Sequence, residues 1–444
     1  MVARKFKEGG SKNVTVIHHV KVEKANPLWQ EKRKLALAGA VQELTAVQEL
    51  TQDMLHFHPD LVIDGLFGTG LSRPLNADDA ELIGFLNSLE APCVAIDTPS
   101  GLDSNTGEHW GNCVKAELTV TLGLAKPGML INSGPANCGR IRVASIGFPA
   151  ELLKEEGRTC FACGIATASR WIPPRPNVSN KGSFGRVVLF AGSSRYRGAG
   201  ILCAEAALRS GAGYVHLISD ERIYPEMLKL PEVIYHSLED FPLASFGPET
   251  AFVVGPGFAV GKKILPVLKS LRAAAYDRVL LDAEALNAMA DTREFVVRSN
   301  WVVTPHPGEL ARILRMETAT LTGHRLNAVE AAQELMGCTV LLKGFRTIVG
   351  EHNRQTIILA GNSALAKAGF GDVLAGMIGT FLAQGLPASR AAILGACLHG
   401  NLANHWIKSK RDPASFIPQD MLRALPRVLR KVREKKVYSQ KKSR

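Results

Sequence analysis

The sequence predicts an α/β protein built from parallel, doubly wound sheets. Two observations carry that prediction. Apolar strands alternate with helical segments along most of the chain, and strand after strand runs into a turn rich in glycine or charge. A third observation divides the chain. Between residues 151 and 180 the alternation lapses, and WIPPRPNVSNKGSFG sets three prolines between Trp171 and Asn177. A domain boundary is expected there.

In the first part, NVTVIH at 13–18 reads as a short β-branched strand and residues 28–55 read as helix. The sextet AVQELT occurs at 40–45 and again at 46–51, too short an echo for a solenoid. DLVIDGLFGTGLSRPL then puts a continuous apolar strand before a glycine-rich turn. ELIGFLNSLEA reads as a helix, PCVAIDTPSGLD as a buried strand ending in a polar turn, and ELTVTLGLAKPGML and GRIRVASIGFP as further strands.

The second part opens with RVVLFAGSSRYRGAGILCAEAALRSGAGYVHLIS, which reads as strand, small-residue loop, helix and strand, a βαβ unit. Its glycines match neither GxGxxG nor GxxxxGK[ST], so no dinucleotide fingerprint and no P-loop is indicated. AFVVGPGFAVG, DRVLLDAEALNAM, WVVTPHPGELARIL and TVLLKGFRTIV each carry a strand into a turn that bears glycine or charge. AAILGACLHGNLANHW reads as helix.

The chemistry centres on GNSALAKAGFGDVLAGMIGTFLAQG, residues 361–385. Gly369 and Gly371 let backbone approach a ligand closely, and free amides at the start of the following helix suit an anion. Asp372 stands in the same turn. A carboxylate beside bound phosphate would be repelled, so its use is to accept a proton from a hydroxyl that attacks the phosphate. A helix cap is the plainer reading of an acid at that position. Lys343 at a strand end can meet phosphate as a point charge. His306 and Glu309 share a Pro-bounded turn, where Glu309 can simply favour the helix start. Near the front, Asp64, the turn 68–74, Asp97, Ser100 and Asp103 lie at two neighbouring strand ends. They could bind a cation or ribose hydroxyls, or be ordinary turn residues. Recurrence of such turns at the strand ends of one sheet describes a phosphate-handling cleft.

Composition narrows the class. A chain of 444 residues, 46% hydrophobic and 21% charged, is that of a soluble globular protein of two or three domains. No apolar run reaches membrane-spanning length, and MVARKFKEGG lacks a signal peptide's apolar stretch, so a cytoplasmic protein is expected. Eight scattered cysteines fit reduced thiols, and the Cys160–Cys163 CxxC has no second pair or nearby His to complete a zinc set. The net charge of +12 is partly local, because residues 427–444 hold nine Lys or Arg against one Glu. Such a run reads as a solvated end or frayed helix. With no nucleic-acid signature elsewhere, neither nucleic acid nor membrane is expected as a partner.

GSSRYRGAGILCAEAALRSGAG, VVTPHPGELARIL, VLLKGFRTIV and GNSALAKAGFGDVLAG together resemble the ADP-dependent NAD(P)H-hydrate dehydratase family, whose fold is ribokinase-like. IDGLFGTGLSRPL and AIDTPSGLDSNTGE resemble the NAD(P)H-hydrate epimerase domain. The resemblance implies an epimerase-like unit at 1–150, incomplete and Rossmann-like, a dehydratase at 165–432 as a ribokinase-like α/β/α sandwich, and a basic tail at 433–444. It implies repair of the hydrates of NADH and NADPH. ADP phosphorylates the S-epimer, phosphate leaves, and AMP is the by-product, with Mg2+ accompanying the nucleotide. By motif position it assigns Ala199, Gly257, His306 and Asp372 to the hydrate, with Asp372 also the catalytic base. Lys343, Gly344, Phe345, Arg346, Thr347 and Gly371 fall to ADP. In the front unit it assigns Gly68, Thr69, Gly70, Leu71, Ser72, Arg73, Pro74 and Asp97 to the hydrate, and Asp64 and Ser100 to K+. Family members form multimers, so a homo-oligomer is implied.

The front unit departs from its family in one respect. The NNGGDG loop, with the strand before it, has no counterpart ahead of MVARKFKEGG. The expectation is either a start placed too far downstream or an impaired epimerase. Two other readings stay open at this point: a small-molecule kinase that uses Asp372 to make a stable phosphorylated product, and an RNA-binding protein that uses the basic tail.

Overall fold

The strands form where apolar and β-branched residues run together, and a computed structural model places them in two compact units, Met1–Lys154 and Glu155–Arg444. The structure describes residues 2–11, 13–18, 27–44, 58–71, 73–149, 151–152, 159–220, 223, 225, 229–239, 241, 243–259 and 261–441.

In the first unit β1 (Thr15–Ile17) pairs in parallel with β2 (Gln42–Leu44). The helix expected over 28–55 is shorter. It starts with Pro27 at its first position and ends at Ala38. Gly39 and Ala40 close it, Ala40 at φ 58, and the Val41 amide donates back to the Ala36 carbonyl at 3.3 Å. The chain then re-emerges as β2. Residues 45–57, with the second AVQELT, lie outside the described residues.

β3 (Val62–Asp64), β4 (Cys93–Ile96), β5 (Leu118–Leu122) and β6 (Arg140–Ala144) form a four-stranded sheet in chain order, every pair parallel. The helix Ala77–Ser88 crosses from β3 to β4. Asn76 caps it by accepting from the Asp79 amide at 2.8 Å, and Asp78 and Asp79 suit its positive end.

The second unit holds a ten-stranded sheet. Its first strand, β7 (Cys160–Cys163), answers a stretch in which the sequence showed no strand rhythm. CFAC is only four residues between loops, and it becomes a strand by pairing with a distant partner at the sheet edge. β8 (Arg186–Phe190), β9 (Tyr214–Ser219), β10 (Ile234–Ser237), β11 (Ala251–Val254), β12 (Arg278–Leu281), β13 (Val302–Val303), β14 (Thr339–Leu342), β15 (Ile348–Glu351) and β16 (Arg354–Ile358) follow. The spatial order is β10-β9-β8-β11-β12-β13-β14-β15-β16-β7. All neighbours are parallel except β14–β15 and β15–β16, which are antiparallel hairpin pairs. The parallel strands are apolar on both faces because helices cover both.

The helix Phe370–Ala383 is the most enclosed of these, buried at every position from Val373 to Ala383. It packs along Arg197–Ser210, and Gly376 makes the approach possible. A side-chain carbon at Gly376 would sit 2.2 Å from the Cys203 carbonyl oxygen, a backbone atom that cannot swing away. One turn later the Thr380 hydroxyl donates to the Ala207 carbonyl at 3.1 Å. Helix propensity favours Gly376→Ala by about 1 kcal/mol. The clash outweighs it, so the variant is expected to lose about 1–3 kcal/mol in chemical denaturation. An unchanged or higher midpoint would show that the helices have room to separate.

Candidate active site

Parallel registration brings the strand ends of the second unit onto one edge. Phe190 stands opposite Val254, Val254 opposite Leu281, and Leu281 opposite Val303. The residues that follow these strands therefore face the same crevice, where ligands bind in open α/β sheets. The loops are tied to each other: the Gly192 amide donates to the Pro256 carbonyl and the Lys343 amide to the Pro305 carbonyl, both at 2.8 Å. Gly257 has φ 60, and a side-chain carbon there would come within 2.6 Å of the Ala199 methyl. Those two expected hydrate-binding positions are thus in contact.

The charged residues meet beside them. Asp282, which directly follows β12, is buried and ion-paired with the Lys343 ammonium. A side-chain carbon at Gly371 would stand 3.6 Å from the same ammonium, so Lys343 lies over the start of the helix that carries Asp372. Burial first, and then the Asp282 carboxylate, push the Asp372 carboxyl up to about 7, against the opposing pull of Lys343. Burial would lower the Lys343 ammonium, but Asp282, Glu309 and Asp372 together hold it above its usual value. The result is a fixed cation with a carboxyl poised to exchange a proton near neutral pH.

His306 and Glu309 cap the helix Pro307–Leu314 reciprocally. The His306 amide donates to Glu309 Oε2 at 2.8 Å, and the Glu309 amide donates to His306 Nδ1 at 3.2 Å. Burial pushes the buried Glu309 carboxyl up to about 7, with Lys343 opposing. Burial and then Lys343 lower the His306 imidazole, which favours its neutral form. The ring stays half-exposed, with Nε2 3.4 Å from Glu309 Oε1.

Lys343 to Thr347 form the turn between β14 and β15. Arg346 sits at φ 58, and the Thr347 hydroxyl donates to the Gly344 carbonyl at 3.1 Å. The turn is held from beneath by the buried Arg325, whose guanidinium donates to the Phe345 carbonyl at 2.7 Å and to the Arg346 carbonyl at 3.1 Å. Phe345 is left half-exposed at the surface. Buried His399 likewise reaches the Phe370 carbonyl at 3.0 Å, and burial pushes its imidazole down to about 4. It steadies the first turn of the helix that carries Asp372.

In the first unit Asp64 and Ser100 are brought together. Asp64 accepts from the Ser100 amide at 2.7 Å and from the Ser100 hydroxyl at 2.5 Å. Both residues are buried, and Asp64 has no cationic partner among the described residues. Burial raises its carboxyl, against the bonds from Ser100. Asp97, at φ 69, accepts from the Leu122 amide at 3.1 Å and pairs with the Lys126 ammonium. Burial raises Asp97, but the Lys126 bond and its neighbours leave it below the usual range, hence ionised. A side-chain carbon at Gly68 would lie 3.7 Å from Asp97 Oδ2, which brings the 68–74 turn to Asp97. Ser72 lies outside the described residues, and Arg73 is exposed. Asp103 accepts from the Asn105 and Thr106 amides at 2.8 Å, so it is a turn residue. Among the described residues no three His, Cys, Asp or Glu side chains gather as a metal cluster.

A doubly covered α/β sheet with an anion-ready helix start, a fixed lysine and a neutral-range carboxyl defines a phosphoryl-transfer fold of the ribokinase-like class. Residues 187–427 match the NAD(P)H-hydrate dehydratase family and residues 1–128 the YjeF-related protein N-terminus. The chain is 33% identical over 398 residues to the bifunctional NAD(P)H-hydrate repair enzyme of Moorella thermoacetica, covering 86% of this chain and 75% of that one. It is 35% identical over 376 residues to that of Escherichia coli, covering 83% and 72%. The second unit resembles the ADP/ATP-dependent NAD(P)H-hydrate dehydratase of Bacillus subtilis, crystallised with ATP/Mg2+, at 26% identity and TM-score 0.56, over 62% of this chain and 99% of that one. The chain belongs to the family of bifunctional NAD(P)H-hydrate repair enzymes.

Arg325 yields a direct test. Arg325→Met leaves two carbonyls of the 343–347 turn without donors, so it is expected to cost about 1–3 kcal/mol in thermal denaturation. It should also raise the KM for ADP more than it lowers kcat. An unaltered melting temperature would mean that the turn holds itself.

Proposed function

We propose that the second unit dehydrates the S-epimer of hydrated NADH or NADPH at the expense of ADP. Asp372 takes the proton of the hydrate's hydroxyl as its oxygen attacks the β-phosphorus of ADP, and AMP leaves. The phosphorylated carbon then loses phosphate while the neighbouring ring carbon gives up a proton to solvent, the electron pair of that C–H bond restores the ring double bond, and the hydrate's oxygen departs in the phosphate. Phosphorylation turns a poor hydroxide leaving group into a good one. The observation that carries this reading is the Asp372 carboxyl, held near 7 beside Lys343 and the glycine-rich helix start.

Lys343, the turn 344–347 and Gly371 are the residues we assign to ADP, with Lys343 neutralising charge on the transferred group. Ala199, Gly257 and His306 are assigned to the hydrate. The buried Asp282 and Asp372 carboxylates suit a hard cation, and Mg2+ would supply charge neutralisation on the nucleotide phosphates. In the first unit we assign Asp97 as acid/base and the 68–74 turn to the hydrate. Asp64 and Ser100 fit K+ because a buried carboxylate without a cationic side chain is what such an ion compensates. The reading also carries the expectation of a cytoplasmic homo-oligomer, which gel filtration with light scattering tests.

The decisive assay follows dihydronicotinamide absorbance on mixed epimers of NADH hydrate with ADP and magnesium. Absorbance is expected to rise only with ADP, and Asp372→Asn to lower kcat by about 10²–10⁴. No rise, or a stable phosphorylated product, would replace the dehydratase with a kinase. Conversion beyond one epimer's share, faster than spontaneous epimerisation, would establish that the first unit is active; a plateau there would establish that it is not.

The wild-type rate should also depend on pH. The base must be ionised, so kcat is expected to fall as pH drops through about 7. A rate that is flat from pH 8 to 5.5 would exclude a neutral-range carboxyl as the base.

A further inference from the structure

A second cleft, basic and of about 460 Å³, lies where the end of the helix Arg197–Ser210 meets the helix Pro418–Lys441. Arg175, Arg209, Arg430 and Arg433 line it against one acid, Glu434. The helix runs 14 residues between the two sites, which puts the cleft about 20 Å along it from the strand-end crevice. Arg209 is paired with Glu205 and Arg430 with Glu434. Arg175 and Arg433 are different. Arg175 donates to the Gly211 carbonyl at 3.0 Å and lies 3.8 Å over the Phe184 ring. Arg433 donates to the Pro173 carbonyl at 2.6 Å. Neither has a carboxylate partner among the described residues, and burial and then Arg175 lower the Arg433 guanidinium from its usual value. Two guanidiniums thus share a wall with no acid to balance them. Ser210 also lines the cleft, fully buried, and its hydroxyl has no hydrogen-bond partner among the described residues.

One feature opposes an anion here, because a helix C-terminus presents carbonyls. Three of the carbonyls there already have donors. Leu208 accepts from the Gly211 amide at 3.0 Å, Ala207 from the Thr380 hydroxyl at 3.1 Å, and Gly211 from both Arg175 and Gln384. The guanidiniums therefore share the cleft with the apolar side chains of Leu208, Ala212, Pro426 and Leu429, and the Ser210 hydroxyl lies just beneath its wall.

We propose that this cleft binds a small anion that carries two or more phosphoryl groups. Planar guanidinium forks match phosphate oxygens in pairs, and the volume exceeds what a single phosphate fills. The free polyphosphate and the phosphate chain of a nucleotide share that chemistry.

The test is calorimetric titration of the full chain with inorganic tripolyphosphate. A saturable site is expected that survives Lys343→Ala and weakens at least about tenfold in Arg175→Gln/Arg433→Gln. ADP-dependent turnover and the melting curve of the double variant show whether it is folded. If it is not, Arg430→Glu and Ser210→Ala take its place. Ser210→Ala should weaken binding without lowering the melting temperature, because its hydroxyl has no partner in the free protein. Competition by ATP that exceeds tripolyphosphate identifies a nucleotide as the ligand, and the reverse identifies the free polyphosphate; either supports the site. Binding that disappears with Lys343→Ala, or that ignores the arginine and serine variants, overturns it. So does capture of an RNA oligomer by a chain that binds no tripolyphosphate.

Discussion

The pairing of Lys343 with Asp282 is the interaction on which the second unit's site depends. Asp282 is buried, and a buried carboxylate is costly unless it is paired. Lys343 provides that pair, and the pair fixes the ammonium over the start of the helix that carries Asp372. The same geometry leaves Asp372 with a carboxylate neighbour whose cation is already shared. Burial first, and then that neighbour, raise its carboxyl toward neutrality rather than leaving it clamped as an ion. A lysine paired with Asp372 itself would instead hold that carboxyl ionised and lower its affinity for a proton.

The scaffold exists to hold that arrangement still. Parallel strands stop in register, so their loops start from one edge, and hydrogen bonds from Gly192 to Pro256 and from Lys343 to Pro305 join neighbouring loops. Beneath them, Gly376 lets the Asp372 helix rest against Arg197–Ser210, while His399 secures the first turn of that helix and Arg325 the 343–347 turn. None of these three supporting contacts touches the reacting atoms. Each spares the site a rearrangement when charge develops.

Much of this was legible in the sequence, and the limits have physical causes. Asp372 stood out because two glycines precede it at the mouth of an apolar helix, and Lys343 because it ends an apolar strand. Ala199 and Gly257, 58 residues apart in sequence, stand side by side because their strands end in register. Asp282 was visible as an acidic turn, yet nothing local paired it with a lysine 61 residues away. Arg325, Lys126 and His399 carry no motif, and their roles come from partners 20 to 29 residues distant. The long helix over 28–55 was misread because Gly39–Ala40 closes it while the polar–apolar pattern runs on. The strand Cys160–Cys163 was missed because a four-residue edge strand owes its form to pairing with β16.

The central claim is electrostatic: burial and then Asp282 raise Asp372, and Lys343 restrains it. It is tested most directly by the pH dependence of single-turnover dehydration in Asp282→Asn, beside the wild type. Removing that carboxylate should move the acid limb of the profile to lower pH, because Asp372 loses its repelling neighbour and gains a larger share of Lys343. An acid limb that stays in place, or moves to higher pH, would contradict the account.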